Sequence, residues 1–128
     1  MFFDYAQNNS GGSYTYNHNA GISEHVIIEA ANVDEANRRA EDIGLYFDGC
    51  ESGYDCECCG DRWYQQYSDR NATDTPMVHG VKDASAGVVK APTYYHTHTN
   101  GEPFAYIHYL DKTIVPVYYQ KSETDTEQ

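Results

Sequence analysis

All four cysteines of this 128-residue chain lie within the ten residues Cys50–Cys59. This crowding limits the local fold, because thiols so close together form a metal site, a disulfide cluster or a redox site. Cys56 and Cys59, followed by Gly60, make a Cys-x-x-Cys-Gly sequence. That is the form of a zinc knuckle, in which backbone N–H groups point at the sulfurs and glycine permits the tight turn. The segment therefore predicts one structural zinc ion.

The predicted zinc ligands are Cys56 and Cys59, with Cys50 looping back as a third ligand and Cys58 or a distant histidine as the fourth. Neighbouring side chains diverge, so Cys58 and Cys59 are not expected to reach one metal easily. The alternatives are a disulfide that involves Cys50, cysteines packed as small core residues, and four free thiols. A catalytic metal is less favoured, because no associated general base is identified.

The composition predicts one domain with an aromatic core. The chain is long enough for a single core, and it has few aliphatic residues but thirteen tyrosines. Its net charge of −12, from 20 acidic and 8 basic residues, argues against non-specific binding to nucleic acids or anionic membranes. Both need Lys or Arg to neutralise phosphate. The charge favours solubility or a basic protein partner.

The N-terminal segment Met1–Tyr5 has no basic region and no long apolar run, so a signal peptide is not expected. No window of the sequence approaches the ~20 apolar residues of a membrane span. A cytosolic location is therefore expected. In a reducing cytosol, clustered cysteines bind metal more often than they pair as disulfides.

One helix is predicted over Val33–Ile43. Asn32 is a suitable N-cap, Glu35 stands in capping-box register, and Gly44 supplies the stop. Four apolar residues recur at helical spacing and predict a buried stripe: Val33, Ala36, Ala40 and Ile43.

Segments of alternating polarity predict strands around this helix. They are Phe2–Tyr5, Ser13–Asn17, His25–Ala30, Tyr94–Thr99, and a hairpin of Phe104–Tyr109 with Ile114–Tyr119. Pro116 cannot donate a ladder hydrogen bond, so its strand is expected at a sheet edge. The expected fold is α+β: a single domain over residues 1–120, with an antiparallel, tyrosine-rich sheet packed on one helix and a cysteine-rich knuckle. Residues 121–128 form an acidic tail that is expected to be disordered.

The histidines allow two interpretations. His96 and His98 lie on the same face of a predicted strand, with Glu102 and His108 nearby, so metal ligation is one of them. Ordinary hydrogen-bonding histidines are the favoured alternative. Nothing places a nucleophile on an elbow or a helix N-terminus, and no phosphate-binding glycine motif is present. No catalytic residue is therefore assigned, and an enzyme is not the favoured class.

Three segments resemble a family of small, acidic, uncharacterised proteins encoded by tailed bacteriophages. They are YAQNNSGGS (5–13), AGISEHVIIEAANVDEANRRAEDIG (20–44) and LYFDGCESGYDCECCGDRW (45–63). The motifs Asn-Asn-Ser-Gly-Gly and Asp-Cys-x-Cys-Cys-Gly-Asp-Arg-Trp carry the resemblance, which covers roughly the first half of the chain. It implies a small accessory gene expressed in the cytoplasm of an infected bacterium, and it implies no particular function.

Accessory proteins of this kind often act against the host by binding. The first hypothesis is a counter-defence sponge that sequesters a nucleotide signal of bacterial immunity. Arg62 would hold phosphate with its planar fork, and Trp63 or Tyr95 would stack on the base. The predicted ligand-binding residues are Arg62, Trp63, Tyr94, Tyr95, His96 and His98. The competing interpretation is that Trp63 belongs to the core and Arg62 pairs with Asp61 or another surface acid.

The second hypothesis is an acidic inhibitor that binds a basic host protein, in the manner of a DNA mimic. A third, weaker one is a metal- or thiol-dependent enzyme. The net charge counts against a nucleotide unless its pocket is locally basic, whereas the scattered acids count against DNA mimicry. Nucleotide sequestration is preferred by a narrow margin. The oligomeric state is left open, with a homo-oligomer among the options.

Overall fold

The structure, a computed structural model, describes residues 1–8, 13–90 and 102–120. Two helices and seven strands make up the regular part of these residues. In chain order they are β1 (Phe2–Ala6), β2 (His25–Glu29), α1 (Val33–Ile43), α2 (Gly49–Ser52), β3 (Met77–Val78), β4 (Lys82–Asp83), β5 (Val88–Lys90), β6 (Ala105–His108) and β7 (Ile114–Gln120). A short 3₁₀ turn covers Asp69–Asn71. The predicted α+β class is confirmed.

Five strands form one sheet in the order β1-β2-β6-β7-β5, and β3 and β4 form a separate ribbon. β1–β2 and β6–β7 are antiparallel pairs, but β2–β6 and β5–β7 are parallel. The sheet is therefore mixed, and the predicted antiparallel sheet is wrong in this respect. A parallel pair needs a long connection that leaves the sheet and returns. The chain between β2 and β6 includes α1, which packs on β2.

Helix α1 begins and ends where the sequence predicts. The Asn32 side chain accepts a hydrogen bond from the Glu35 N–H at 2.9 Å. The Glu35 carboxylate in turn accepts one from the Ala31 N–H at 3.3 Å, one residue earlier than in a standard capping box. Gly44 ends the helix at φ 120°, in a conformation that side chains rarely adopt. Local signals therefore define this helix at both ends.

Each face of the sheet carries a hydrophobic cluster. The first cluster joins one face to α1 and the segment after it: Phe3, Tyr5, Ile22, Val26, Ile28, Ala30, Ala36, Ala40, Leu45 and Trp63. The second covers the other face: Phe2, Ile27, Val78, Ala84, Val89, Phe104, Ala105, Ile107 and Val117. Neighbouring residues of β1 and β2 alternate between the clusters, as strand geometry requires. The predicted aromatic core is thus shared with aliphatic side chains.

Most of the strand predictions that fall on described residues are confirmed. The first strand, the strand that begins at His25, and the hairpin of β6 and β7 all form. The predicted strand Ser13–Asn17 is wrong, because only Asn17 pairs there, in an isolated bridge with Ile22. The predicted strand Tyr94–Thr99 and the predicted tail 121–128 lie outside the described residues.

Pro116 does not lie on an edge strand, because β7 has neighbours on both sides. The prediction failed for a local reason. β5 pairs only with Tyr118–Gln120, so Pro116 lies beyond the end of β5. The Pro116 nitrogen, which cannot donate, is therefore not required to form a ladder hydrogen bond to β5.

Among the described residues, no helix combines the length and apolar character needed to cross a bilayer.

Candidate metal centre

The cysteine loop, residues 48–61, begins with Asp48 in the left-handed conformation at φ 57° and continues as α2. After α2 it forms a tight turn. The Cys56 carbonyl accepts hydrogen bonds from the N–H groups of Cys59 at 3.1 Å and Gly60 at 3.2 Å. Gly60 has φ 86°, which is the conformation that the predicted knuckle requires of its glycine.

Three sulfur atoms meet at the tip of this turn. The Cys56 and Cys58 sulfurs are 2.7 Å apart, and those of Cys58 and Cys59 are 3.8 Å apart. One ligand atom from each of the three residues lies within 4.8 Å of the others. The expectation that Cys58 and Cys59 diverge is wrong, because alternation belongs to extended chains and this segment is a turn. The structure describes all four cysteines as free thiols.

Cys50 lies outside this three-sulfur group. Its thiol donates to the Cys56 carbonyl at 3.4 Å, and its backbone N–H donates to Asp61 Oδ1 at 2.9 Å. Desolvation, followed by the Asp61 carboxylate, raises the pKa of the Cys50 thiol to about 11. Cys58, rather than Cys50, is therefore the third sulfur that the structure brings to Cys56 and Cys59.

Two of the grouped thiols, Cys56 and Cys58, differ in acidity. Hydrogen bonds from the Cys58 thiol, and then from the backbone amides of Cys58 and Cys59, lower the pKa of Cys56. These hydrogen bonds from backbone amides to sulfur are the kind predicted for a knuckle. The pKa of Cys58 is raised to about 11 by its contacts with Cys56 and then Cys59. Of these two thiols, Cys56 therefore deprotonates first, and the thiolate is the form that binds metal.

The geometry and charge of the loop fit a divalent cation. Zn–S bonds of about 2.3 Å in a tetrahedron place sulfurs about 3.8 Å apart. The Cys58–Cys59 separation of 3.8 Å matches this value, whereas Cys56 and Cys58 would move apart by about 1 Å. Residues 40–61 contain seven acidic residues and no Lys or Arg. Such a field attracts a cation and repels a phosphate.

The loop is held against the end of β1 by Asn8. The Asn8 amide nitrogen donates to the carbonyl oxygens of Cys59 at 2.8 Å and Asp61 at 3.0 Å. The Asn8 backbone N–H donates to the Arg62 carbonyl at 2.9 Å. Asn8, the first residue of the Asn-Asn-Ser-Gly-Gly motif, thereby contacts the second motif directly.

Arg62 is buried, with 8% of its surface exposed. Its guanidinium donates to Gln7 Oε1 at 2.9 Å and to the Ser13 carbonyl at 2.7 Å. Its Nε lies 3.8 Å from Asp55 Oδ1. The Asp55 side chain is 1% exposed and accepts further hydrogen bonds from the Tyr46 hydroxyl and the Arg62 N–H, both at 2.9 Å. Arg62 therefore pairs with the buried Asp55. This differs from both interpretations of the sequence, a phosphate contact and a pair with Asp61 or another surface acid.

Trp63 is 2% exposed and belongs to the first hydrophobic cluster. Its ring offers no free face to a nucleotide base, so the core interpretation of this residue fits the structure. The remaining predicted ligand contacts, Tyr94, Tyr95, His96 and His98, lie outside the described residues.

His108, one candidate metal ligand, makes an ordinary hydrogen bond. Its Nε2 lies 2.7 Å from the Gly21 carbonyl oxygen, and burial lowers the pKa of its imidazole. A neighbouring pocket of about 260 Å³ is lined by Arg39, Asp42, Ile43, His108, Lys112 and Ile114. This volume falls below the ~300–1,000 Å³ of ordinary ligand sites. Arg39 already donates to the carbonyl oxygens of Glu29 and Tyr109.

Sequence reasoning missed a second group of ligand-type side chains. Asp4, His25 and His79 each place one ligand atom within 4.8 Å of the others. They come from three separate segments, so no local spacing indicates them. The available signal was the His79-Gly80 dipeptide, because a central dipeptide ending in glycine favours a tight hairpin turn.

Comparisons with known proteins place the chain in a family. A family model described as a domain of unknown function matches residues 1–125. Comparisons with curated proteins and with solved structures found no match. Because the family match covers nearly all of the 128 residues, this chain belongs to the family DUF7296, a domain of unknown function.

Proposed function

We propose that the protein is a zinc-binding, non-enzymatic accessory protein of a tailed bacteriophage, acting in the cytoplasm of the infected bacterium. The observation that carries the zinc assignment is the three-sulfur group of Cys56, Cys58 and Cys59 on a turn closed by Gly60. Two backbone amides support the Cys56 thiolate, as in knuckles that bind zinc. The phage setting rests on the resemblance of the two sequence motifs.

Zinc would act here as a structural ion. The side chains of Cys56, Cys58 and Cys59 are exposed, so little apolar burial holds the tip of the loop in place. A divalent ion would offset the seven acids of residues 40–61 and link the three thiolates. The free energy of binding would then contribute directly to the stability of the loop.

Protein purified without added metal is expected to contain about one zinc per chain. Cys56→Ser and Cys59→Ser should each lose the zinc and lower the melting temperature, because each removes a ligand. Cys50→Ser is the matched control and should keep the zinc, because Cys50 lies outside the three-sulfur group. Elemental analysis and thermal unfolding, with and without chelator, measure both effects. Metal-free wild-type protein, or variants that keep full metal content and stability, would contradict the assignment.

We further propose that the cysteine loop binds a basic host protein. The loop lies in the acidic stretch 40–61, and Tyr54 at its surface is 77% exposed. Exposed tyrosines next to charged groups are typical anchors of protein interfaces. Nucleotide sequestration stays a prediction. It gains no support from the buried Arg62 and Trp63, and its other predicted contacts lie outside the described residues.

Tyr54→Ala is expected to weaken partner binding about tenfold or more, the usual loss for an interface anchor. Tyr67→Ala is the matched control, because Tyr67 is 76% exposed but lies outside the loop. Affinity for the partner recovered from infected cells, measured at two salt concentrations, tests the contact and its electrostatic part. Equal affinities of the two variants would place the interface elsewhere.

A nucleotide panel separates the remaining classes. A thermal shift with the nucleotide recovered intact would establish sequestration, whereas an altered nucleotide would establish an enzyme. The absence of any shift is the result expected for a protein target.

A further inference from the structure

Asp4 and His25 lie on one face of the sheet, on neighbouring strands. In the antiparallel register Asp4 stands opposite Ile27, and His25 stands opposite Ala6, so Asp4 and His25 are diagonal neighbours. The Asp4 carboxylate contacts His25 Nδ1 at 2.9 and 3.0 Å. Phe104 packs edge-on against the His25 ring, with centroids 6.0 Å apart, and shields the pair on one side.

His79 comes to the same place from the turn between β3 and β4. Both central residues of this turn are left-handed, with φ 56° at His79 and 73° at Gly80, and the Val81 N–H donates to the Val78 carbonyl at 3.2 Å. The His79 N–H donates to Asp4 Oδ2 at 2.9 Å. The His79 ring stands edge-on to the His25 ring, with centroids 4.5 Å apart.

The Asp4–His25 contact alone does not account for this arrangement. The left-handed conformation of His79 turns its side chain toward this pair, although many other residues could occupy the turn. The Asp4–His25 contact leaves unexplained why a second imidazole lies against the first.

We propose that Asp4, His25 and His79 form a second metal site, which binds a divalent first-row transition ion such as zinc. Two imidazoles and one carboxylate are a common ligand set for such ions. Tetrahedral coordination at about 2.0–2.2 Å needs donor atoms about 3.4 Å apart. The three ligand atoms already lie within 4.8 Å of one another, so side-chain rotations are enough to bring them to this spacing. His79 is exposed, which leaves the fourth position open to water. The site shares no residue with the cysteine loop.

Cobalt(II) is the probe that separates the two sites. Full-length wild-type protein is expected to bind about two cobalt ions per chain, of which only the ion in the cysteine loop gives a sulfur-to-cobalt charge-transfer band. His79→Asn should abolish binding of the cobalt ion that gives no charge-transfer band. The cobalt ion in the cysteine loop should stay bound. Asparagine tolerates the left-handed turn position, so the hairpin is retained. His18→Asn is the matched control, an exposed histidine outside the group, and should keep both ions.

The proposal is overturned if the only cobalt that the wild-type protein binds is the ion that gives the charge-transfer band. It is also overturned if His79→Asn binds the cobalt ion that gives no such band as well as His18→Asn does. Should His79→Asn fail to fold, the wild-type protein still gives a decisive measurement. Zinc must then shift the ring-nitrogen resonances of His25 and His79, and shifts confined to other histidines overturn the proposal. Loss of the charge-transfer band alone would instead contradict the zinc assignment of the cysteine loop.

Discussion

Arg62→Ala is expected to lower the free energy of unfolding by about 3–5 kcal/mol, the usual loss when one partner of a buried ion pair is removed. The change would leave the Asp55 carboxylate, 1% exposed, without its cation. It would also remove the donor that holds the Gln7 side chain and the Ser13 carbonyl. Urea unfolding, followed by circular dichroism, measures the loss.

A double-mutant cycle with Asp55→Asn isolates the pair. Asparagine keeps the shape of Asp55 and removes its charge, so the double variant should lose less stability than the two single changes added together. A melting temperature that Arg62→Ala leaves unchanged would contradict the buried pair. It would also restore Arg62 as a candidate phosphate contact.

Trp63→Ala is expected to lower the free energy of unfolding by about 3–5 kcal/mol, because it opens a cavity in a closely packed cluster. Trp63 packs in the cluster that joins α1 to the sheet. The loss should therefore appear as a lower urea midpoint with an unchanged slope for the whole domain.

The neighbouring Tyr64 supplies the matched control, because it is an exposed aromatic residue one position further along. Tyr64→Ala should change stability by about 0.5 kcal/mol or less, as surface substitutions usually do. Similar losses in Trp63→Ala and Tyr64→Ala would show that Trp63 is not a core residue in solution.

The features predicted correctly from the sequence depend on residues close together in the chain. The ends of α1 are set by Asn32, Glu35 and Gly44, all within a few residues of the turns they stabilise. The β6–β7 hairpin likewise follows from two alternating segments and the short turn at Asp111-Lys112. The knuckle turn follows from Gly60.

The features that sequence reasoning missed depend on distant partners. The parallel pairing of β2 with β6 joins His25 to Ala105, and no local pattern indicates it. The burial of Arg62 is not indicated by its neighbours in the sequence, because one of its hydrogen-bond partners, Gln7, lies 55 positions away. The Asp4–His25–His79 group requires three segments to meet. Pairings of this kind are fixed by the packing of the whole domain.

The order β1-β2-β6-β7-β5 has a consequence for synthesis on the ribosome. The middle strand of the sheet, β6, is among the last parts of the described chain to be made. Until it emerges, the nascent chain exposes the unpaired edge of β2, whose Val26, Ile27 and Ile28 are fully buried in the finished protein. Such an edge invites pairing with other chains. A gene product cut short before Ala105 is therefore expected to aggregate, although it retains both sequence motifs.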